Sequence, residues 1–313
     1  MVSLFQLHKM KEKKDITYPT PLKPGDKIAI VSPAGKVNEQ QVYDAVEVLK
    51  GQGWDPYISS HALGESGTYS GNHRERYADL VEALTDPSVR AIICSRGGYG
   101  AVHLLEQLER LPIEKDPKWI VGFSDISALH ALMASKGIAS VHASMTQAIA
   151  RGADDEDNAT LFAILKGEKP VIKFKSSRFD RPGIASGQLL GGNLAVIADL
   201  INTPYNVISP DTILFIEDLE EPIYKIERIL YQIKLSGVLS KLKGLIVGQF
   251  TEYKSDANYQ TMEDMIYNMV SPYHYPVAMD VPFGHVEHNI PLISGAYITL
   301  RVNIGGNSSI VFW

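Results

Sequence analysis

Cysteine is almost missing from this chain. Cys94 is the single one among 313 residues, so no intramolecular disulfide can form and a zinc–thiolate cluster is excluded. It ends the apolar run Ala91-Ile92-Ile93, the usual place for a small buried residue; a catalytic thiol is the alternative. Long hydrophobic runs are missing too: none reaches the roughly 18 residues of a membrane-spanning helix. The start, MVSLFQLHKMKEKKDITYP, lacks the long apolar core and small-residue cleavage site of a signal peptide, and residues 1–19 read as a mobile tail. An excess of positive charge is absent as well. With 36 acids against 30 bases the net charge is −6, which argues against nucleic acid or an anionic membrane as partner. A cytoplasmic enzyme or binding protein is the default that remains.

The chain does have enough apolar residues, 45%, for a large core, and a length that implies two domains. From Asp26 to Val121 short apolar runs alternate with stretches of helical periodicity. DKIAIVS is followed by the stripe Val42, Ala45, Val46, Leu49; Val89–Cys94 by Val102, Leu105, Leu108. Near-continuous apolar strands alternating with helices predict an α/β fold, with an N-terminal parallel sheet covered by helices. Residues 20–150 form this first domain. Residues 151–186 turn polar and loose and read as a linker. Residues 187–313 form a C-terminal α+β domain with a smaller, irregular sheet. It holds the strand TILFIE, the helix stripe Ile223, Ile226, Ile229, Leu230, Ile233, and a final pair of strands.

In parallel sheets, sites lie at the carboxyl ends of strands, and several of those ends are unusual here. After Trp119-Ile120-Val121 comes Gly122-Phe123-Ser124-Asp125. A serine on a strand-to-helix turn exposes its hydroxyl beside backbone N–H groups able to hold an oxyanion. The second glycine of a G-x-S-x-G elbow is missing, because Ile126 stands in its place, and a helix cap is the alternative role for Ser124. After Cys94 comes Arg96-Gly97-Gly98-Tyr99-Gly100. Its glycines allow close approach of a ligand to the backbone; an oxyanion hole, a phosphate cradle and a plain tight turn all fit, although no P-loop lysine follows. Arg96 and Arg74 are positioned to meet a substrate carboxylate, or Arg96 braces its loop by pairing with an acid. Glu217 ends the strand TILFIE, and His285 follows the segment Pro282-Phe283-Gly284. The H-x-x-H spacing of His285 and His288 lacks a third ligand, so neither a metal nor another cofactor is expected. Ser124, Glu217 and His285 together supply a hydroxyl, an acid and an imidazole in an order compatible with a serine-hydrolase triad.

Read jointly, PLKPGDKIAIVSPAG, RGGYG, GFSD, LLGGNL, FIED and PFGH resemble the LD-carboxypeptidases over nearly the whole chain. These are serine peptidases that include muramoyltetrapeptide carboxypeptidases and the microcin-C immunity peptidases. The resemblance implies Ser124 as nucleophile, Glu217 as acid and His285 as base. It implies an oxyanion hole from the backbone of Gly98 and Asp125, with Gly97 as a further contact. It also implies two domains meeting at the site, commonly in a homodimer. The implied reaction is release of terminal D-alanine from murein tetrapeptides in cytoplasmic cell-wall recycling. Cleavage of peptide–nucleotide conjugates, and binding of murein peptide without turnover, are the rival readings.

Overall fold

A computed structural model describes residues 16–313. The first half alternates strand and helix as its periodicity predicts. Its elements are β1 (Lys27–Val31), α1 (Glu39–Gly51), β2 (Asp55–Ile58), α2 (His73–Thr85), β3 (Val89–Cys94), α3 (Leu105–Leu108), β4 (Trp119–Gly122), α4 (Ser127–Ser135) and β5 (Ser140–His142). Helix starts follow local chemistry. The Asn38 side chain accepts from the Gln40 N–H to cap α1, and Asn72 and Glu75 form a reciprocal capping box on α2. The buried face of α1 is the predicted stripe Val42, Ala45, Val46, Leu49.

The second half contributes α5 (Thr146–Ile149), α6 (Glu156–Leu165), β6 (Val171–Lys175), β7 (Gly183–Asn193), α7 (Leu194–Asp199), β8 (Thr212–Leu219), α8 (Ile223–Leu235), β9 (Gly244–Thr251), α9 (Met262–Val270), β10 (Val277–Ala278), β11 (Leu292–Ser294), β12 (Tyr297–Val302) and β13 (Asn307–Phe312). The first sheet runs β11-β5-β4-β3-β1-β2 and the second β10-β9-β8-β7-β12-β13-β6. Strands β2-β1-β3-β4-β5 are parallel, the doubly wound order whose chain reversal lies between β1 and β3.

The α/β class stands, with three differences in detail. The first sheet is mixed, because β11 from the C-terminal half pairs antiparallel with β5. The second sheet, expected to be the smaller, has seven strands against six. Residues 151–186 are not a loose connection: they carry α6, β6 and the start of β7. Leu161, Phe162, Ile164 and Leu165 of α6 are buried, the result of an apolar face that the acidic RGADDEDNAT stretch before it obscures. Of the expected tail, residues 1–15 lie outside the described residues, while Thr17 bonds through its N–H to the Gly137 carbonyl at 2.8 Å and accepts from the Ala139 N–H at 3.0 Å. The cores of the two halves are continuous. Ile126, Leu129 and Leu132 of the first half share one cluster with Leu194, Ile197 and Leu214 of the second. Burial of apolar surface therefore fixes the halves against each other, and the site lies where they meet.

Candidate active site

Strand β4 ends at Gly122, and the backbone turns sharply into a 3-10 turn, Ser124–Ile126, that leads into α4. Ser124 sits at φ 64, a left-handed conformation that costs a non-glycine residue about 1–3 kcal/mol and is characteristic of functional turns. Ile126, which displaces the second elbow glycine, folds back on Gly122: a Cβ there would lie 2.9 Å from Ile126 Cγ1. The turn is thus an elbow with a different steric solution. The Ser124 hydroxyl makes no helix-capping bond; it lies 3.0 Å from Nε2 of His285.

His285 arrives from the opposite half. Gly284 before it has φ 112, and a Cβ on it would come within 2.9 Å of Glu217 Cβ and Oε2, so only glycine lets the loop pass the acid. Glu217 lies on β8 where its pairing with β9 shifts register between Ile216 and Asp218. Such a bulge re-aims a side chain. Fully buried, Glu217 holds Nδ1 of His285 with Oε2 at 2.7 Å. Burial pulls the imidazole pKa down, but the hydrogen bond and charge of Glu217 outweigh it, and the net shift is upward. The three side chains form a relay able to draw a proton off the hydroxyl: hydroxyl, imidazole, carboxylate.

The glycine loop closes the floor. Strands β3 and β4 are neighbours, so the loops at their carboxyl ends touch. A Cβ on Gly97 would lie 2.9 Å from Ser124 Cβ and 3.0 Å from its Oγ. The Gly97 carbonyl accepts from the Gly35 N–H at 3.0 Å, and because a trans peptide points its C=O and N–H opposite ways, the Gly98 N–H is turned away from Gly35. Gly98 itself adopts φ 120. Asp125 is the second residue of the 3-10 turn, where leading N–H groups lack intrahelical partners. Its buried carboxylate accepts from the Ala101 N–H at 2.8 Å, tying the two loops together, and burial pushes its pKa up to about 6.

Other candidates fall away from the serine. Arg96 is exposed and donates to the Lys36 carbonyl at 2.9 Å. It braces its loop, as one reading expected, but through a carbonyl rather than an acid. Arg74 is exposed on α2. Cys94 is fully buried, which pushes its thiol pKa far up, so it has no nucleophilic character. His288 pairs with Asp157 at 2.9 Å, and no three metal-ligating side chains cluster among the described residues.

Some supporting residues escaped the sequence. Arg76, almost wholly buried, donates to the Pro33 carbonyl at 2.6 Å and the Gly100 carbonyl at 3.0 Å, and so buttresses the glycine loop. Its position one turn before Leu80, on the buried stripe of α2, was the available signal. The Ser127 hydroxyl accepts from the Asn193 N–H at 2.9 Å, and Asn193 donates to Asp218 at 2.9 Å, lacing the serine helix to the acid strand. Two buried histidines lie beneath. His130 bonds Ser140 and the Gly122 carbonyl, and His142 lies edge-on to Phe215 and Phe283; burial lowers both pKa values.

A doubly wound sheet fused to a second mixed sheet, with a hydroxyl–imidazole–carboxylate relay at their junction, defines a two-lobed serine hydrolase architecture. Sequence comparison narrows the class. The profile of the LD-carboxypeptidase N-terminal domain matches residues 28–143 and that of the C-terminal domain residues 186–300. The chain belongs to the LD-carboxypeptidase family and is a serine-type carboxypeptidase. A carboxypeptidase-like protein of Synechocystis sp. is 32% identical over 93% of this chain and 97% of its own length. The murein tetrapeptide carboxypeptidase of Pseudomonas aeruginosa is 26% identical over 84% of this chain and 89% of its own. The crystal structure of muramoyltetrapeptide carboxypeptidase from Oxalobacter formigenes superposes with a TM-score of 0.81 at 30% identity, covering 91% of this chain and 98% of that one.

Proposed function

We propose that this chain removes the terminal D-alanine from murein tetrapeptides, with Ser124 as nucleophile, His285 as general base and Glu217 as its orienting acid. The observation that carries the reading is the relay of 3.0 Å from Ser124 to His285 and 2.7 Å from His285 to Glu217, in a chain of this family. Ser124 Oγ attacks the carbonyl before D-alanine while His285 Nε2 takes its proton. Glu217 holds the Nδ1–H tautomer and stabilises the imidazolium that forms. The N–H groups of Gly98 and Asp125 receive the developing oxyanion, each contributing about 3 kcal/mol; Gly97 leaves room for the hydroxyl to move. His285 then protonates the leaving amine, and water activated by the same imidazole releases the acyl group. Cytoplasmic recycling of cell-wall peptides, by a homodimer, is the setting that fits this reaction.

The test is D-alanine release from a defined tetrapeptide, followed by mass spectrometry, for wild type and Ser124→Ala. We expect loss of turnover by at least 10³-fold with unchanged melting temperature. Turnover near wild type in Ser124→Ala would remove the serine from its role. A peptide–nucleotide conjugate cleaved in place of the tetrapeptide would move the chain to the immunity type.

A further inference from the structure

The loop that carries His285 is held from two sides. On the near side, the Gln249 N–H at the end of β9 donates to the Phe283 carbonyl at 2.9 Å. On the far side the partners come from the segment between the lobes. Asn289 Oδ1 accepts from the Gly284 N–H at 2.9 Å, and the Asn289 N–H donates to Asp157 Oδ2 at 2.7 Å. Asp157 Oδ1 meets His288 Nδ1 at 2.9 Å, and Arg151 donates to the Glu287 carbonyl at 2.9 Å. Asn289 is 1% exposed and Asp157 3%.

The anchor is itself rigid. Asp157 stands in the first turn of α6, and the neighbouring Asn158 side chain donates to the carbonyls of Ala148 and Gly152 at 2.9 and 2.8 Å. The chain of bonds thus runs from the α5–α6 corner through Asp157 and Asn289 to the residue next to His285. Gly284 is also the residue that crowds Glu217, so a shift of its peptide moves the imidazole relative to its acid. Burying an aspartate and an asparagine costs desolvation free energy that an apolar pair would not. The bonds they make in return fix the Gly284 peptide against the α5–α6 corner, while the buried Asn289 Nδ2 has no partner among the described residues.

We propose that Asn289, held in place by Asp157, is a positioning residue that fixes His285 between Glu217 and Ser124. The inference rests on the catalytic reading of those three residues. Displacement of a reacting group by about 1 Å can cost 10²-fold in rate.

The experiment compares Asn289→Ala, Asp157→Ala and Asp157→Asn with wild type. The readouts are kcat, KM, the pH profile, and the rate at which a serine-directed phosphonate labels Ser124. Asparagine at 157 keeps an oxygen for the Asn289 N–H; alanine does not. We expect both alanine variants to lose at least tenfold in kcat and in labelling rate, with KM within threefold. Their acid limb should move to lower pH, because a looser Glu217 contact leaves burial to dominate His285. Asp157→Asn should recover most of kcat. An Asn289→Ala protein with wild-type kcat, labelling and pH profile would overturn the proposal, even if its melting temperature falls. If Asn289→Ala does not fold, Asn289→Ser carries the same expectations and the same refutation. Wild-type protein that neither turns over peptide nor reacts with the phosphonate would refute the underlying catalytic reading, a result separable from failure of the clamp.

Discussion

Gly97→Ala adds one methyl group beside Ser124, the proposed nucleophile, and tests the site geometry directly. The backbone at Gly97 is not in the left-handed region, so alanine brings no conformational strain of its own. Its Cβ would stand 2.9 Å from Ser124 Cβ, 3.0 Å from Oγ and 3.5 Å from the Phe123 carbonyl oxygen. Carbon atoms pack comfortably at about 3.5–4.0 Å, so the serine side chain or the loop must yield by roughly 0.5–1 Å. The hydroxyl now lies 3.0 Å from His285 Nε2. A retreat of that size takes it to the edge of hydrogen-bonding range or beyond. The expected loss is about 10–10²-fold in kcat/KM, with about 1–3 kcal/mol of stability lost to overpacking. Gly51→Ala is the control, since a Cβ there meets nothing within 4 Å. D-alanine release, phosphonate labelling and thermal melting on both variants make the assay. A folded Gly97→Ala enzyme within twofold of wild-type kcat/KM would show that the glycine is not needed for clearance of the nucleophile.

Further outcomes are expected at His285, Glu217 and Cys94. As the proposed general base, His285 must be neutral to accept a proton, and its pKa is raised, so the acid limb of kcat/KM should lie above the ordinary histidine value of 6.5. Glu217→Gln should cut kcat by about 10⁴-fold and move that limb to lower pH. A raised folded-state pKa stabilises the fold below the unfolded value and ceases to do so as pH climbs past the folded value. The stability gap between wild type and Glu217→Gln should therefore be widest in mild acid and narrow above neutrality, as pH-dependent denaturant titrations would show; a limb unmoved by the substitution would deny Glu217 its influence on His285. Cys94→Ser should retain kcat, since the thiol is buried away from solvent, while melting at lower temperature for placing a hydroxyl among Ile92, Val31 and their neighbours; loss of turnover in a folded variant would reopen the thiol as nucleophile.

Strand ends were easy to find because apolar runs and glycines mark them locally. Ser124, Glu217 and His285 each read as lying at such an end from neighbours within a few residues; this holds for Ser124 after β4, whereas β8 runs past Glu217 to Leu219 and β10 stops at Ala278, well before His285. Arg76, Asp157, Asn193 and Asn289 were not found. Their partners lie 24, 43, 132, 25 and 66 positions away as well as nearby, and a buried polar side chain is indistinguishable in sequence from a solvated one. The segment 151–186 reads as a linker for a related reason: its acidic start masks the apolar face of α6, and an edge strand such as β6 shows only a short alternation.

The sequence alone determined the α/β class, the parallel run from β1 to β4 and the chemical types present in the loops and strands of the site, because periodicity and turn residues act over short distances. The tertiary structure alone decided that the hydroxyl and imidazole stand 3.0 Å apart across 161 residues. It also decided that β11 crosses into the first sheet and that the α5–α6 corner grips the histidine loop. Each of these depends on burial of a continuous core between the halves, an energy that belongs to the assembled fold and to no single stretch of chain.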